Sequence, residues 1–174
     1  MLQFSRRADT TMEFTSLAQI LDQALGLAAS DYDLKKKYDF RSIDIIKDYQ
    51  DIPQIPIVSM EIEQVILNLL KNAAQAMTAT PPDRKPRITL RLRREDRYAV
   101  FEVEDNGPGM AEDIRRRVFE PFFTTKEPGV GTGLGLSVSY MIVTQDHKGL
   151  MEVQSTQGKG TVFKVMLPIG GKQT

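Results

Sequence analysis

Residues 103–110, "VEDNGPGM", end a strand-like segment on a carboxylate that points into the predicted core. Because side chains alternate faces along a strand, Phe101 and Asp105 share one face, which its apolar residues mark as buried. A buried carboxylate is costly unless a donor meets it. The glycines that follow, Gly107 and Gly109, let the backbone bend or let another group approach closely. The segment therefore predicts that Asp105 meets either a donor inside the fold or a ligand.

The composition is that of a single globular domain. The chain has 174 residues, enough for a sizeable core, and 41% of them are apolar while 26% are charged. Basic and acidic residues both number 23, so no net charge favours nucleic acid or a membrane surface, and we predict contact with neither. The absence of cysteine excludes disulfides and thiolate chemistry.

With no bilayer-length apolar run and no secretory signal, the expected location is the cytoplasm, for a domain whose parent protein can be membrane-anchored.

Hydrophobic periodicity predicts helices interleaved with an antiparallel sheet. A first helix follows Thr15 or Ser16 as its cap, a second runs from Ser59 to Met77, and a short third lies near residues 111–119. After a loop from Glu120 to Gly133, a further helix covers residues 134–146. Strands are predicted over residues 38–50, 51–58, 87–93, 98–105, 149–155 and 161–168. The pattern indicates an α+β sandwich with its helices layered on one face.

The chain divides into a domain with short flanking segments. Residues 1–14, "MLQFSRRADTTMEF", open with an apolar and basic stretch that has no capping residue ahead of it. We interpret them as the tail of a helix that belongs to a longer protein; a frayed terminus is the alternative. The predicted domain covers residues 15–170, and residues 171–174 form a C-terminal tail.

Two asparagines stand four residues apart in the second helix. Asparagine is a mediocre helix former, so Asn68 and Asn72 on one flank of the apolar stripe need a reason. One is a Mg²⁺ site, because that ion prefers oxygen ligands and takes few of them from the protein. The other is that both are solvent-facing or internally bonded amides.

The long loop combines glycines, phenylalanines and one lysine. Glycines at every second position from 129 to 135 lead into a helix N-terminus, an arrangement that can bind phosphate but matches neither a Walker A loop nor the dinucleotide motif. The segment "VFEPFFTTK" (118–126) is either core filling under a long connection or a mobile lid over a ligand. Lys126 can then reach a phosphate as a point charge.

These motifs, in this order and spacing, resemble a known family. Asn-x-x-x-Asn, Asp-x-Gly-x-Gly, Phe-x-x-x-Phe, Gly-x-Gly-x-Gly and Gly-x-Gly-Thr are similar to the boxes of the gyrase, chaperone and histidine-kinase (GHKL) superfamily. "NLLKNAAQAM", "DNGPGM" and "GTGLGLSV" most resemble the catalytic ATP-binding (HATPase) domain of two-component sensor histidine kinases. The resemblance covers residues 15–168. It implies a two-layer α/β sandwich of the Bergerat type, with a mixed, mostly antiparallel sheet covered on one face by helices, and a mobile ATP lid.

The resemblance also assigns roles. Asp105 matches the residue that accepts a hydrogen bond from the exocyclic amine of adenine, Gly107 and Gly109 leave room for the base, and Thr161 helps to orient it. Asn72 matches the Mg²⁺ ligand, and Asn68 the residue that positions metal and phosphates. Asn68, Asn72 and Lys126 are the implied catalytic residues. The remaining implied nucleotide-binding positions are Phe119, Phe122, Gly131, Thr132, Gly133, Leu134 and Gly135.

Asn68 separates the branches of this superfamily. Hydrolytic members resemble one another in having a glutamate at that position to activate water, whereas an amide is no base at neutral pH. Glu61 and Glu63 lie a turn or more away. A site that holds Mg-ATP and activates water poorly is suited to phosphoryl transfer.

In sensor kinases the acceptor is a histidine on a dimerisation helix hairpin N-terminal to this domain, and the phosphoryl group then moves to an aspartate of a response regulator. The sole histidine here, His147, resembles a loop residue and not that acceptor. Residues 1–14 match the end of the hairpin, so the chain alone is expected to bind ATP without autophosphorylating. Alternatives are a Ser/Thr kinase of the same fold and a non-transferring ATP-binding module; a hydrolytic ATPase is disfavoured by Asn68.

Overall fold

Helices make up one layer of the described part of the protein. The computed structural model describes residues 11–30, 40–79, 83–123 and 135–170. Ser16 caps the first helix, since its Oγ accepts the Gln19 N–H at 3.3 Å. The helices are α1 (Leu17–Ser30), α2 (Ser59–Ala76), α3 (Glu112–Arg115) and α4 (Gly135–Met141), which continues as a π-helical segment, Ile142–Asp146. Across the described residues, none of these helices combines the length and apolar character needed to cross a bilayer.

A five-stranded sheet makes up the other layer. The described strands are β1 (Glu13–Thr15), β2 (Asp44–Tyr49), β3 (Ile55–Ile57), β4 (Arg87–Glu95), β5 (Tyr98–Asp105), β6 (Leu150–Thr156) and β7 (Gly160–Pro168). The order in the sheet is β2-β4-β5-β7-β6, with β2 parallel to β4 and every other pair antiparallel, so the sheet is mixed but mostly antiparallel. A separate two-stranded ribbon joins β1 to β3.

The two faces of the sheet differ in chemistry. On the inner face, Leu90 lies opposite Val103 and Leu92 opposite Phe101, and all four side chains are buried against the helices. On the outer face, Arg91 pairs with Glu104 at 2.6 Å within a network of charged side chains. Burial of one face only is what the period-two pattern predicted, and the two-layer α+β fold is confirmed.

Two sequence predictions need correction. The strand predicted over residues 38–50 begins only at Asp44, because Phe40 turns into the core in a short 3₁₀ helix, Phe40–Ser42. Glu13 and Phe14, assigned to a helix tail, belong to β1 instead, where they pair with Ile57 and Pro56. The physical reason is that β3 buries its side chains and needs a backbone partner. Residues 1–10 and 171–174 lie outside the described residues.

Candidate functional site

Asp105 ends the inner face of β5, and its side chain is 5% exposed. Its Oδ1 accepts the N–H of Gly107 at 2.9 Å. The main-chain N–H of Thr161 is a second hydrogen-bond donor to the carboxylate. Burial raises the pKa of the carboxyl from 3.8 to about 6, against these two N–H groups, which lower it. No Lys, Arg or His of the described chain lies within ion-pair distance. The carboxylate therefore keeps acceptor capacity that the fold does not use.

At three glycines beside Asp105, an added side chain would clash with or crowd its neighbours. A Cβ on Gly109, whose φ is +71°, would lie 2.2 Å from the carbonyl oxygen of Thr156. A Cβ on Gly160, at φ +135°, would lie 2.0 Å from the carbonyl oxygen of Asp105. At Gly107 it would press on Asp105 Oδ1 at 3.0 Å and approach the end of α2. The loop after β5 and the β6–β7 turn are thus in direct backbone contact around the carboxylate.

Ser155, which the sequence did not single out, contacts two elements of the candidate site. Thr161, the residue predicted to orient the base, lies opposite Asp105 in the β5–β7 register, and its Oγ1 is 2.8 Å from Ser155 Oγ. Ser155 Oγ also accepts the Met110 N–H at 2.7 Å. One hydroxyl thus connects the strand that carries Thr161 to the loop after β5. The signal that could have identified Ser155 is the β6–β7 register, which pairs it with Thr161. That register is known only once the pairing of the two strands is known.

Arg84 is the second missed residue. It lies between the predicted second helix and β4, in a segment for which the sequence predicted no role. Its Nη1 donates to the carbonyls of Asn106 at 2.8 Å and Gly107 at 3.2 Å, and its Nη2 donates to the carbonyl of Gly158 at 2.7 Å. One guanidinium group therefore contacts both loops that surround Asp105.

Asn68 links α2 to the start of α4. Its Nδ2 donates to the carbonyl of Gly135 at 3.3 Å and to Ser139 Oγ at 3.1 Å, while its Oδ1 accepts from Gln64 at 3.1 Å. The alternative of an internally bonded amide thus applies to Asn68, although Oδ1 retains one acceptor position. Gly135 is the first residue of α4, so Asn68 holds the helix that follows the long loop.

Asn72 lies one turn further along α2, at a half-buried position. Across the described residues no group of three His, Asp or Glu could hold a metal ion, so a cation beside α2 would depend on an amide oxygen and on oxygens of its ligand. Glu61 cannot serve as a base there, because eleven residues of helix separate it from Asn72 by about 16 Å. Its Oε1 instead lies 4.0 Å from Nδ1 of His147.

The phenylalanines of the long loop differ in their surroundings. Phe119 packs with its ring 4.8 Å from that of Tyr140 and 6.2 Å from that of Phe163, which agrees with core filling. Phe122 is 72% exposed and has a φ of +66°. Lys126 and residues 131–134 lie outside the described residues, so their predicted contacts with phosphate stay predictions.

His147 is buried and neutral in character. Its Nε2 accepts the N–H of Val58 at 3.0 Å, so its Nδ1 carries the proton and donates to the carbonyl of Ile142 at 2.9 Å. Burial lowers the pKa of the imidazole below 6.5, against the Ile142 hydrogen bond and the charge of Asp146. Both ring nitrogens are engaged within the fold.

Comparison with known proteins identifies the family. The sequence model described as histidine kinase-, DNA gyrase B- and HSP90-like ATPase matches residues 57–171. The chain belongs to this ATPase family. The match covers α2, the loop after β5, α4 and the β6–β7 hairpin, which are the elements that surround Asp105 and Asn68.

Two relatives of the chain are named as kinases. The chain is 43% identical over 119 residues to sporulation kinase E of Bacillus subtilis, covering 68% of this chain and 15% of that protein. It is 37% identical over 187 aligned positions to sensor kinase CckA of Brucella abortus, covering 97% of this chain and 18% of that protein. The chain thus spans less than a fifth of the length of either relative.

Solved structures give the same family and fold. The catalytic domain of histidine kinase ThkA superposes with a TM-score of 0.72 at 25% identity, covering 91% of this chain and 95% of that one. The mycobacterial sensor histidine kinase MprB superposes with a TM-score of 0.70 at 27% identity, covering 90% and 97%. The recognition from the sequence boxes, an ATP-binding catalytic domain of the histidine-kinase type, is confirmed. The roles of individual residues stay predictions.

Proposed function

We propose that this domain binds Mg-ATP and donates the γ-phosphoryl group to a histidine on a dimerisation domain of the same kinase, outside this chain. In this proposal the bond from the γ-phosphorus to the β-phosphate oxygen breaks, a bond to an imidazole nitrogen forms, and ADP leaves. The phosphoryl group then passes to an aspartate of a response regulator. We assign these events to the cytoplasm, where ATP is available.

The observation that carries the proposal is the buried carboxylate of Asp105. It has two main-chain donors, unused acceptor capacity and no cationic partner among the described residues. The exocyclic amine of adenine is a donor of the kind it lacks. Guanine has an oxo group at the same place, so two acceptors would face each other and the base would be rejected. The contact of Thr161 with Ser155 beside the carboxylate supports the proposal that Thr161 helps to orient the base.

The phosphate end is assigned to the elements around α2. Asn72 offers an amide oxygen that suits Mg²⁺, which neutralises phosphate charge when bound. Asn68 positions the phosphates and fixes the start of α4 through Gly135 and Ser139. Lys126 and the glycines up to Gly135 supply the phosphate contacts of the lid. Because Asn68 is an amide, water beside the γ-phosphate has no base at this position, which favours transfer over hydrolysis.

The test compares the 174-residue chain with a version extended upstream through the dimerisation hairpin, each incubated with γ-labelled ATP and Mg²⁺. We expect an acid-labile, base-stable label on the extended protein only. Asn72→Asp in the extended protein should change the Mg²⁺ dependence of labelling. Asp105→Ala in the extended protein should abolish labelling.

Other outcomes would replace the proposal. Absence of label from both versions, with ATP still bound, indicates a binding module. An acid-stable label on a partner protein indicates a Ser/Thr kinase. Rapid release of phosphate by the 174-residue chain alone indicates a hydrolytic ATPase.

A further inference from the structure

Arg84 is connected to Asp105 by a single peptide group. The carbonyl of Asn106 accepts from Arg84 Nη1 at 2.8 Å, and the N–H of the same peptide group, on Gly107, donates to Asp105 Oδ1 at 2.9 Å. A peptide group is planar and rigid, so the guanidinium group that fixes its carbonyl also fixes the direction of its N–H. A cation at the carbonyl polarises the group and strengthens the N–H as a donor.

The same guanidinium group joins two loops. The loop after β5 and the β6–β7 turn meet where Arg84 Nη2 reaches the carbonyl of Gly158 at 2.7 Å, across 74 residues of sequence. The Gly158 N–H returns a hydrogen bond to the carbonyl of Pro108 at 2.7 Å. Since Gly109 leaves no room for a side chain at this contact, a small movement of either loop would displace the groups that hold Asp105 and Thr161.

The charge of Arg84 is directed at carbonyl groups. No carboxylate of the described residues lies within ion-pair distance of its guanidinium group, whereas the nearby Arg87 faces Asp44 at 3.8 Å. A planar fork of donors suits three convergent carbonyls, and the single ammonium of a lysine does not. This use of an arginine is therefore specific to its geometry.

We propose that Arg84 is a positioning residue for adenine recognition, which holds the peptide group between residues 106 and 107 against Asp105 and ties that loop to the β6–β7 turn. Arg84 does not touch the base; it acts through Asp105. The inference rests on the proposed role of Asp105 in binding adenine.

The experiment is a double-mutant cycle on the full 174-residue chain, with Kd for ATP and GTP measured by competition against a fluorescent nucleotide. Arg84→Ala and Arg84→Lys should each weaken ATP binding about tenfold, the equivalent of one hydrogen bond to a charged group, and should reduce the preference for ATP over GTP. In an Asp105→Asn background the same changes should have less than about a twofold effect, because coupled residues are not additive. Arg94→Ala is the matched control, since Arg94 donates to a carbonyl in the distant β4–β5 turn.

The remaining outcomes contradict either the role of Arg84 or the proposed function. Equal losses in the wild-type and Asp105→Asn backgrounds, for ATP and GTP alike, would show a general structural role and overturn the inference. A loss of ATP binding in Asp105→Asn with none in the Arg84 variants would overturn the inference and leave the proposed function intact. Unchanged ATP binding in Asp105→Asn would remove the proposed function itself. If Arg84→Ala fails to fold, Arg84→Lys, which keeps the charge, carries the same comparison.

Discussion

At the scale of single residues, Asp105 is a carboxylate placed where an apolar side chain would be more stable. The side chain lies in line with Phe101 and Val103 on the buried face of β5, yet two main-chain N–H groups are its only donors among the described residues. Burial raises the pKa of this carboxyl to about 6, so ionisation at neutral pH opposes folding. An ionised carboxylate in this position destabilises the fold but can accept a hydrogen bond from a ligand, as the proposed function requires.

Replacing Asp105 by Asn should therefore stabilise the nucleotide-free protein. The folded pKa is raised, so the folded state binds more protons than the unfolded state between pH 4 and 6, and the cost of ionisation is complete above about pH 6. We expect Asp105→Asn to gain about 2–3 kcal/mol at pH 7, falling towards zero near pH 4, while losing ATP affinity. Urea unfolding at several pH values measures the gain, with the exposed Asp48→Asn as control. A variant equally destabilised at pH 4 and pH 7 would contradict this account.

At the scale of secondary-structure elements, two side chains attach α4 to α2. Asn68 holds the first residues of α4, and His147 joins its π-helical end to Val58, the residue that caps α2. The helix that follows the long loop is thereby attached at both ends to α2, the helix that carries the two asparagines. The position of Asn68 beside Gly135, the first residue of α4, therefore depends on the packing of these two helices as well as on the sequence of α2.

His147 should stay neutral at a lower pH than an exposed histidine, because burial lowers the pKa of its imidazole. Burial lowers the pKa of His147 in the folded state below 6.5, so the unfolded state takes up a proton first as the pH falls. The stability that comes from burying the neutral imidazole is therefore lost as the pH falls below 6.5. The chain has one histidine, so its ring resonance in a proton NMR titration is unambiguous. We expect a midpoint below 6.5.

Removing the ring tests the same attachment. His147→Ala should cost about 2 kcal/mol of unfolding free energy, because the Val58 N–H and the Ile142 carbonyl lose a partner. The exposed Gln145→Ala on the same segment should cost little. A midpoint above 6.5 would contradict the lowered pKa of the buried imidazole, and a neutral effect of His147→Ala would mean that the ring does not hold the two helices together.

At the scale of the whole molecule, the domain begins earlier than its first helix. The β1–β3 ribbon lies outside the five-stranded sheet, and β3 buries Ile55 and Ile57 in the common core. Thr15 adds a hydroxyl contact to Ser59, the first residue of α2, at 3.3 Å. The ribbon thus fixes the segment that leads into the asparagine-bearing helix.

Shortening the chain should show this boundary. Relative to a chain that starts at Thr11, one that starts at Ser16 should lose about 1–2 kcal/mol of unfolding free energy, because β3 loses its backbone partner. Phe14→Ala should change stability by less than about 0.5 kcal/mol, since that side chain is 65% exposed. Denaturant unfolding of the three proteins makes the comparison. Equal stabilities for the two starting points would place the boundary at Ser16.

Local patterns in the sequence were enough to predict the two layers, most bounds of the helices and strands, and the burial of the Asp105 side chain. Helical spacing and strand alternation are properties of neighbouring residues, and the glycine and asparagine boxes are local as well. The same patterns predicted residues 13 and 14 wrongly, because the strand there exists only through its pairing with Ile57 and Pro56, more than forty positions away.

Only the tertiary structure decided which groups hold the site together. Arg84 reaches Gly158, Ser155 reaches Met110, and Asn68 reaches Ser139, each across more than forty residues of chain. No local period records such contacts, because they form when separate loops and helices are brought together by burial of the shared core. The residues predicted to bind a ligand were thus found from short motifs, while the residues that contact them depend on the fold as a whole.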